Sequence, residues 1–450
     1  MIPTQKILWK VGIWIGLLLG IALLGITPRE DFTRTFILFT ASFALMCLYY
    51  QWTSGKKKSI MWWFVAGLIL RFSLLFTIPQ WSDDYARFLW DGELLLMWQN
   101  PYIETPNEWI NSNSELVTPF LEEVFEVMNS PDYYSVYPPS NQVIFGVGAF
   151  WGSQSLILGI GILRTLLIFG EIGVFILLVN LLRSVQADRK VILLYWFNPL
   201  VILELIGNLH FEGLVLVMLL GALWAFARQR YAMSGGFWSM AIGIKILPLM
   251  LAPSLIFNEK LRKSIPFWLA SGAVLFLAFG TLLIGDSWQN LMKSLQLYQG
   301  KFEFNASVYY LFREVGYWIK GYNTIAVLTK ILGLLSVGLM IFISWKKKPE
   351  SLLGMAEVWT MIYLVYLLFQ PVIHPWYIIP AFGLSLLTKI RSLFFWSGTV
   401  FLSYQAYSNP NFKENPYLLL IEYLILGIAL TVDIKKRNLH LSKNNQQEYV

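Results

Sequence analysis

Two adjacent carboxylates, Asp83 and Asp84, stand in Trp81-Ser82-Asp83-Asp84-Tyr85, directly after an apolar stretch at about 60–79. A carboxylate so placed can take a proton from an attacking hydroxyl, and a like charge beside it raises its pKa towards working pH. A second reading is local: Ser82 is a good N-cap, and acids in a first turn complement the helix dipole. Arg87 follows Asp83 by four residues and Asp91 follows Arg87 by four, so the three share one helix face. That face is either a salt-bridge ladder or a surface that binds phosphate or sugar.

Other polar groups recur at the edges of apolar runs. Asn208 and His210 lie in Asn208-Leu209-His210-Phe211-Glu212, at a turn between two such runs. Lys245 sits in Gly243-Ile244-Lys245-Ile246-Leu247-Pro248, where it either snorkels to water or meets a phosphate. His374 lies in Gln370-Pro371-Val372-Ile373-His374-Pro375-Trp376-Tyr377, whose prolines break the helix. Non-helical backbone at that depth needs protein or water around it, so a cavity is expected there. Tyr137 precedes Pro138-Pro139, and Arg313 falls in a second polar loop. Arg71, Arg164 and Glu171 lie inside apolar runs and read as structural charges that find partners. Asn305 fits an N-x-S acceptor pattern. No metal-ligand spacing of the H-E-x-x-H kind occurs, and Cys47 is the only cysteine, so neither a disulfide within the chain nor a cysteine-based metal site forms.

The elements that must position these groups are membrane spans. The chain has 450 residues, 56% hydrophobic and 14% charged, against roughly a quarter charged for soluble domains. Apolar runs of about 17–23 residues recur from end to end, each long enough for a hydrocarbon core. The net charge of +7 sits in short clusters between runs, among them Lys56-Lys57-Lys58, Lys346-Lys347-Lys348 and Lys435-Lys436-Arg437. Assigned to the cytoplasm, these clusters set the topology, and they do not signal a nucleic-acid partner.

The reading is an all-α polytopic membrane protein of about fourteen transmembrane helices with both termini cytoplasmic. Residues 1–433 form one integral membrane domain, with external loops at about 80–152 and 285–322. Residues 434–450 form a cytoplasmic tail whose polar end is expected to be disordered. The first loop is far longer than bundle connections, which points to function, and 85–98 within it is expected to be an amphipathic interfacial helix. Asp83, Asp84, Arg87, Asp91, Tyr137, Asn208, His210, Lys245, Arg313 and His374 then all fall on the external side. There is no nucleotide-binding glycine motif of the P-loop or Rossmann type.

In their order these motifs resemble the polytopic GT-C glycosyltransferases, particularly bacterial mannosyltransferase-like members that use polyprenyl-phosphate sugars. The resemblance runs over roughly 60–390, through Ser82-Asp83-Asp84, Trp90-Asp91-Gly92, Asn100-Pro101-Tyr102, Tyr137-Pro138-Pro139, Asn198-Pro199-Leu200, Gly207-Asn208 with His210, Lys245 with Pro248, and His374-Pro375-Trp376-Tyr377. Two extra spans precede the acidic loop, and Glu212 stands where an aspartate is expected. The resemblance implies inverting transfer of a hexosyl residue, with mannosyl favoured but sugar and acceptor left open, at the external face of the bacterial cytoplasmic (inner) membrane. The donor is a polyprenyl-phosphate sugar and the acceptor a glycolipid, glycan or protein.

It further implies that Asp83 or Asp84 is the base. Lys245, Arg313 and His374 are candidates for the donor phosphate. Arg87, Asp91, Tyr137, Asn208 and His210 are candidates for the sugar or acceptor pocket. An activated lipid-phosphate donor requires no metal, although the acidic pair can bind Mg2+ or Mn2+. Two alternatives stand beside this: a transporter or flippase, and a polysaccharide polymerase or ligase. One-sided polar groups and the lack of an internal repeat favour the transferase over the transporter.

Overall fold

The computed structural model describes residues 3–53 and 59–447. The Lys56–Lys58 cluster used above to orient the chain lies outside the described residues. Regular structure is helical throughout the described residues, with a single isolated bridge between Phe304 and Val372.

Among the described residues, seven helices are long and apolar enough to cross a membrane: Ile7–Leu24, Phe32–Trp52, Leu156–Ser184, Ile265–Leu283, Ile325–Lys347, Leu352–Phe369 and Pro416–Lys436. An eighth span results if the pair Arg189–Trp196 and Pro199–Gly207, bent by 55°, counts as one. Ser59–Phe72, Glu212–Ala227 and Leu247–Ile256 are apolar but shorter. Several runs expected to span are therefore interrupted. Proline and glycine break them where the backbone turns inside the fold, as at Asn198-Pro199 and Lys245–Pro248. Outer faces remain bare: Leu277 is 78% exposed, Leu334 75% and Ile428 65%. Apolar exposure along whole helices suits lipid as the solvent.

A helix expected at 85–98 forms over Asp84–Leu96, but it does not lie with one face open. Tyr85 to Gly92 are all buried, against Pro139–Gly152 and Pro119–Glu126. Gly92 permits this packing, because a Cβ there would collide with the Phe145 carbonyl. The last helix continues from Pro416 to Gln447, so the polar end is helical as far as it is described. It extends an existing apolar helix and needs no nucleus of its own.

The charges deep in the apolar runs hold the scaffold. Arg71 Nη2 lies 2.6 Å from Glu171 Oε2, with the guanidinium 3.6 Å from a Trp196 ring centroid. Tyr195 donates to the other Glu171 oxygen at 2.8 Å. A buried charge without such partners would be strongly unfavourable. Arg164 has a different role. It donates to the carbonyls of Leu75, Thr77, Ile206 and Gly207. It therefore clamps the segment leading to Asp83 onto the segment leading to His210, satisfying carbonyls left open where two helices end.

Candidate functional site

Asp83 and Asp84 differ in surroundings although they are neighbours. Asp83 occupies the N-cap of Asp84–Leu96 but makes no side-chain capping bond. Instead its Oδ2 accepts from Arg29 Nη2 at 2.7 Å. Arg29, from the turn between the first two long helices, also donates to the Trp81 carbonyl at 3.1 Å and lies 4.5 Å from the Tyr407 ring centroid. Asp84 is half-buried and receives a hydrogen bond from Tyr137. Burial, then the Asp83 charge, push its carboxyl from the ordinary 3.8 up to about 6; Lys245 and the Tyr137 bond pull down, while Glu212 raises it further. An acid in that range exchanges protons near neutral pH.

Lys245 is the cation of this cluster. It closes the helix Tyr231–Ile244 with an extended backbone, φ −149° and ψ 130°, ahead of Pro248. Its ammonium pairs with Glu212 and lies 4.4 Å from the Tyr377 ring centroid. Glu212, buried in the first turn of Glu212–Ala227, is thus long enough to reach Lys245. Asn141 donates to the Ile244 carbonyl at 2.7 Å, which ties the start of Pro139–Gly152 to the lysine's turn.

The two histidines sandwich a tryptophan. His210 stacks on Trp376 at 3.6 Å between centroids and 15° between planes, and His374 stacks on it at 4.4 Å and 2°. Burial, followed by Lys245, lowers His374 to about 3, and burial, Lys245 and His374 hold His210 well below the usual 6.5. Both rings are therefore neutral at pH 7 and offer hydrogen bonds rather than charge. The loop beneath is strained: Leu209 has φ 62°, a left-handed conformation unfavourable for a bulky residue. Asn208 fastens it, accepting from the Trp81 backbone N–H at 3.1 Å and donating to Glu204 at 3.5 Å. Glu204 lies in a π-helical turn, fully buried, and accepts from Tyr404 at 2.7 Å.

Other expected site residues are placed differently. Arg87 Nε donates to Asp91 at 2.7 Å, and Asp91 also accepts from Ser135 and Gln142. Arg87 further donates to the Tyr133 carbonyl at 2.7 Å. Both are buried, and their bonds tie the helix to the 130–135 segment; the ladder on one helix face has become a knot inside the fold. Arg313 pairs with Glu303 at 2.6 Å and Glu314 at 3.0 Å, in a group with Tyr309, Tyr310 and Asn323. None of its partners belongs to the Asp84–Lys245 cluster. Asn305 is fully buried and donates to Glu422 at 3.1 Å, so the N-x-S match is not an accessible acceptor.

Arg29, Glu204, Tyr404 and Tyr407 went unread in the sequence. Arg29 carried one signal: a cation in a short loop that the charge bias assigns to the external side runs against that same bias. Glu204 carried none beyond being an acid at the edge of an apolar run. Among the described residues, no group of three or more His, Cys, Asp or Glu is arranged to hold a metal ion. In the acidic pair, one oxygen of Asp83 is already engaged by Arg29.

No curated protein matches the chain. A family model, described as alpha-(1->6)-mannopyranosyltransferase, N-terminal domain, of the MptA_B family, matches residues 16–258. The match covers more than half of the 450 residues. It includes Arg29, the acidic pair, Tyr137, the Asn208–Glu212 turn and Lys245, while His374, Tyr404 and Tyr407 fall beyond it. With the residues that converge on Asp84 drawn largely from this stretch, the chain belongs to the MptA_B family of mannosyltransferases.

Proposed function

We propose that the protein transfers a mannosyl residue, with inversion, from a polyprenyl-phosphate mannose to a lipid-linked or cell-envelope acceptor, in the manner of GT-C enzymes. The observation that carries this reading is the half-buried Asp84, bonded to Tyr137, raised to about 6 and set beside Lys245. The acceptor hydroxyl oxygen forms a bond to the sugar's C1 as the bond from C1 to the lipid-phosphate oxygen breaks. Asp84 takes the hydroxyl proton, and the bonding pair leaves with the phosphate. Lys245 meets the charge that grows there, exchanging Glu212 for phosphate as partner. His210 and His374, neutral and stacked on Trp376, supply hydrogen bonds to sugar or phosphate. Arg87 and Asp91 hold the loop around the pocket, and Asn208 holds the His210 turn. Arg313 belongs to a separate external cluster.

The basic clusters support an active site on the external face of the cytoplasmic membrane with both termini inside. A lipid-phosphate donor is already activated, so no metal is required, and transfer is expected to continue in excess EDTA.

The deciding assay gives purified protein radiolabelled polyprenyl-phosphate mannose and a panel of membrane glycolipid acceptors. Product from wild type and none from Asp84→Asn is the expected result. Labelling from a soluble sugar nucleotide but not from the lipid donor would remove the donor assignment. Movement of lipid-linked sugar across vesicles without any transfer would favour the flippase reading instead.

A further inference from the structure

Arg29 lies outside every motif that pointed to the site, yet its guanidinium is committed to that site on all sides. It donates to Asp83 at 2.7 Å, to the Trp81 carbonyl at 3.1 Å and to Glu30 at 3.3 Å, and its plane rests 4.5 Å from the Tyr407 ring centroid. Its side chain is only 18% exposed, against 33% for Asp83. A guanidinium so engaged has its planar fork spent on protein acceptors and is poorly placed to bind a substrate phosphate. Trp81 in turn is fixed, its indole N–H donating to the Thr27 carbonyl at 3.0 Å and its backbone N–H to Asn208. The turn carrying Arg29 and the turn carrying the acids are therefore bonded to one another in both directions.

We propose that Arg29 is a positioning residue of the transfer reaction: it holds Asp83 as a neutralised ion pair, leaving Asp84 as the carboxylate that receives the acceptor proton. The proposal rests on the reading of Asp84 as base. The charged and titratable groups around Asp84 come from several elements: Asp83 beside it, Tyr137, Lys245 and Glu212, with Arg29 and Tyr407 behind Asp83. Of these, only Arg29 offsets Asp83 by direct contact. Without it, an uncompensated like charge stands next to the base and disfavours its ionised form. Tyr407 and the Glu30 contact keep the guanidinium in place, which a lysine reproduces in charge but not in its fork.

The test is the pH dependence of kcat/KM for mannosyl transfer by full-length protein in nanodiscs, with the lipid-phosphate donor varied. For wild type the acid limb falls near the Asp84 value of about 6. In Arg29→Gln the limb is expected to move up by about one pH unit, with donor KM changed less than twofold. Arg29→Lys should restore most of the shift. The double variant Arg29→Gln with Asp83→Asn should bring the limb back to its wild-type position or below it, because the charge that Arg29 offsets is then absent.

A limb that stays in place in Arg29→Gln, or a shift that persists in the double variant, overturns the proposal. So does a large rise in donor KM with an unmoved limb, which would make Arg29 a substrate ligand. If Arg29→Gln does not fold, the double variant and Arg29→Lys carry the comparison. Asp84→Asn, run alongside, separates the two levels: an active Asp84→Asn removes the base itself, whereas an inactive one with an unmoved Arg29→Gln limb removes only the role of Arg29.

Discussion

Replacing Asp84 by asparagine should abolish transfer while making the protein more stable, and the second effect can be sized. The Asp84 carboxyl is raised from 3.8 to about 6. At 1.36 kcal/mol per pKa unit, keeping it ionised in the folded state above pH 6 costs roughly 3 kcal/mol. Asp84 is only half-buried, so solvent screening reduces this to about 1–3 kcal/mol. The sign follows from linkage. The folded state holds the proton more tightly than the unfolded chain, so this residue's contribution to stability falls as pH rises from about 4 to 6 and is constant above. Asparagine keeps an acceptor for Tyr137 and carries no charge, so it is free of that cost. Melting curves by tryptophan fluorescence in one detergent, from pH 4 to 8, should show no difference at pH 4. A gain of a few degrees for Asp84→Asn should appear above pH 6.5. Transfer should drop by about 10²–10⁴-fold over the whole range. A stability difference that is flat with pH, or a variant that still transfers mannose, refutes the assignment of a strained base to this residue.

Three further outcomes are expected. Lys245→Ala removes the cation that pulls Asp84 down, so the acid limb of the activity profile should move above 6 and donor KM should rise about tenfold or more; unchanged donor kinetics would take Lys245 out of the phosphate cradle. Arg71→Met strands Glu171 in the core with only Tyr195 for a partner, and should destabilise by about 3–5 kcal/mol in a denaturant or thermal series; a neutral result would mean the pair is dispensable. Leu209→Gly relieves a left-handed leucine at φ 62°, worth about 1 kcal/mol, but deletes a fully buried side chain, worth about 2–5 kcal/mol, and frees the loop that sets His210; melting temperature and kcat should both fall, and an unchanged melting temperature would contradict the packing of Leu209.

Several members of the candidate cluster could be picked out from local sequence. Asp83-Asp84 after an apolar run, the Asn208–Glu212 turn, Lys245 before Pro248 and His374-Pro375 each announce themselves, because a polar group beside a membrane-length stretch is costly unless used. Helix positions were equally legible, since hydropathy over about 20 residues is a local property. The number of clean spans was not. Whether residues 191–203 cross in one piece or bend at Asn198-Pro199 depends on what packs around the break.

Residue types and their spacing were enough to locate most of the apolar helices, single out an acidic pair beyond one of them, and suggest a lipid-phosphate sugar transferase. Tertiary structure alone decided which of the two acids is tied up in an ion pair. Arg29 and Asp83 are joined across 54 positions of sequence, Glu204 and Tyr404 across 200, and His210 and His374 both stack on Trp376. Such pairings arise where segments distant along the chain are brought together by packing. No local pattern encodes them, because an ion pair's partner and a carboxylate's pKa are set by burial and by neighbours in space.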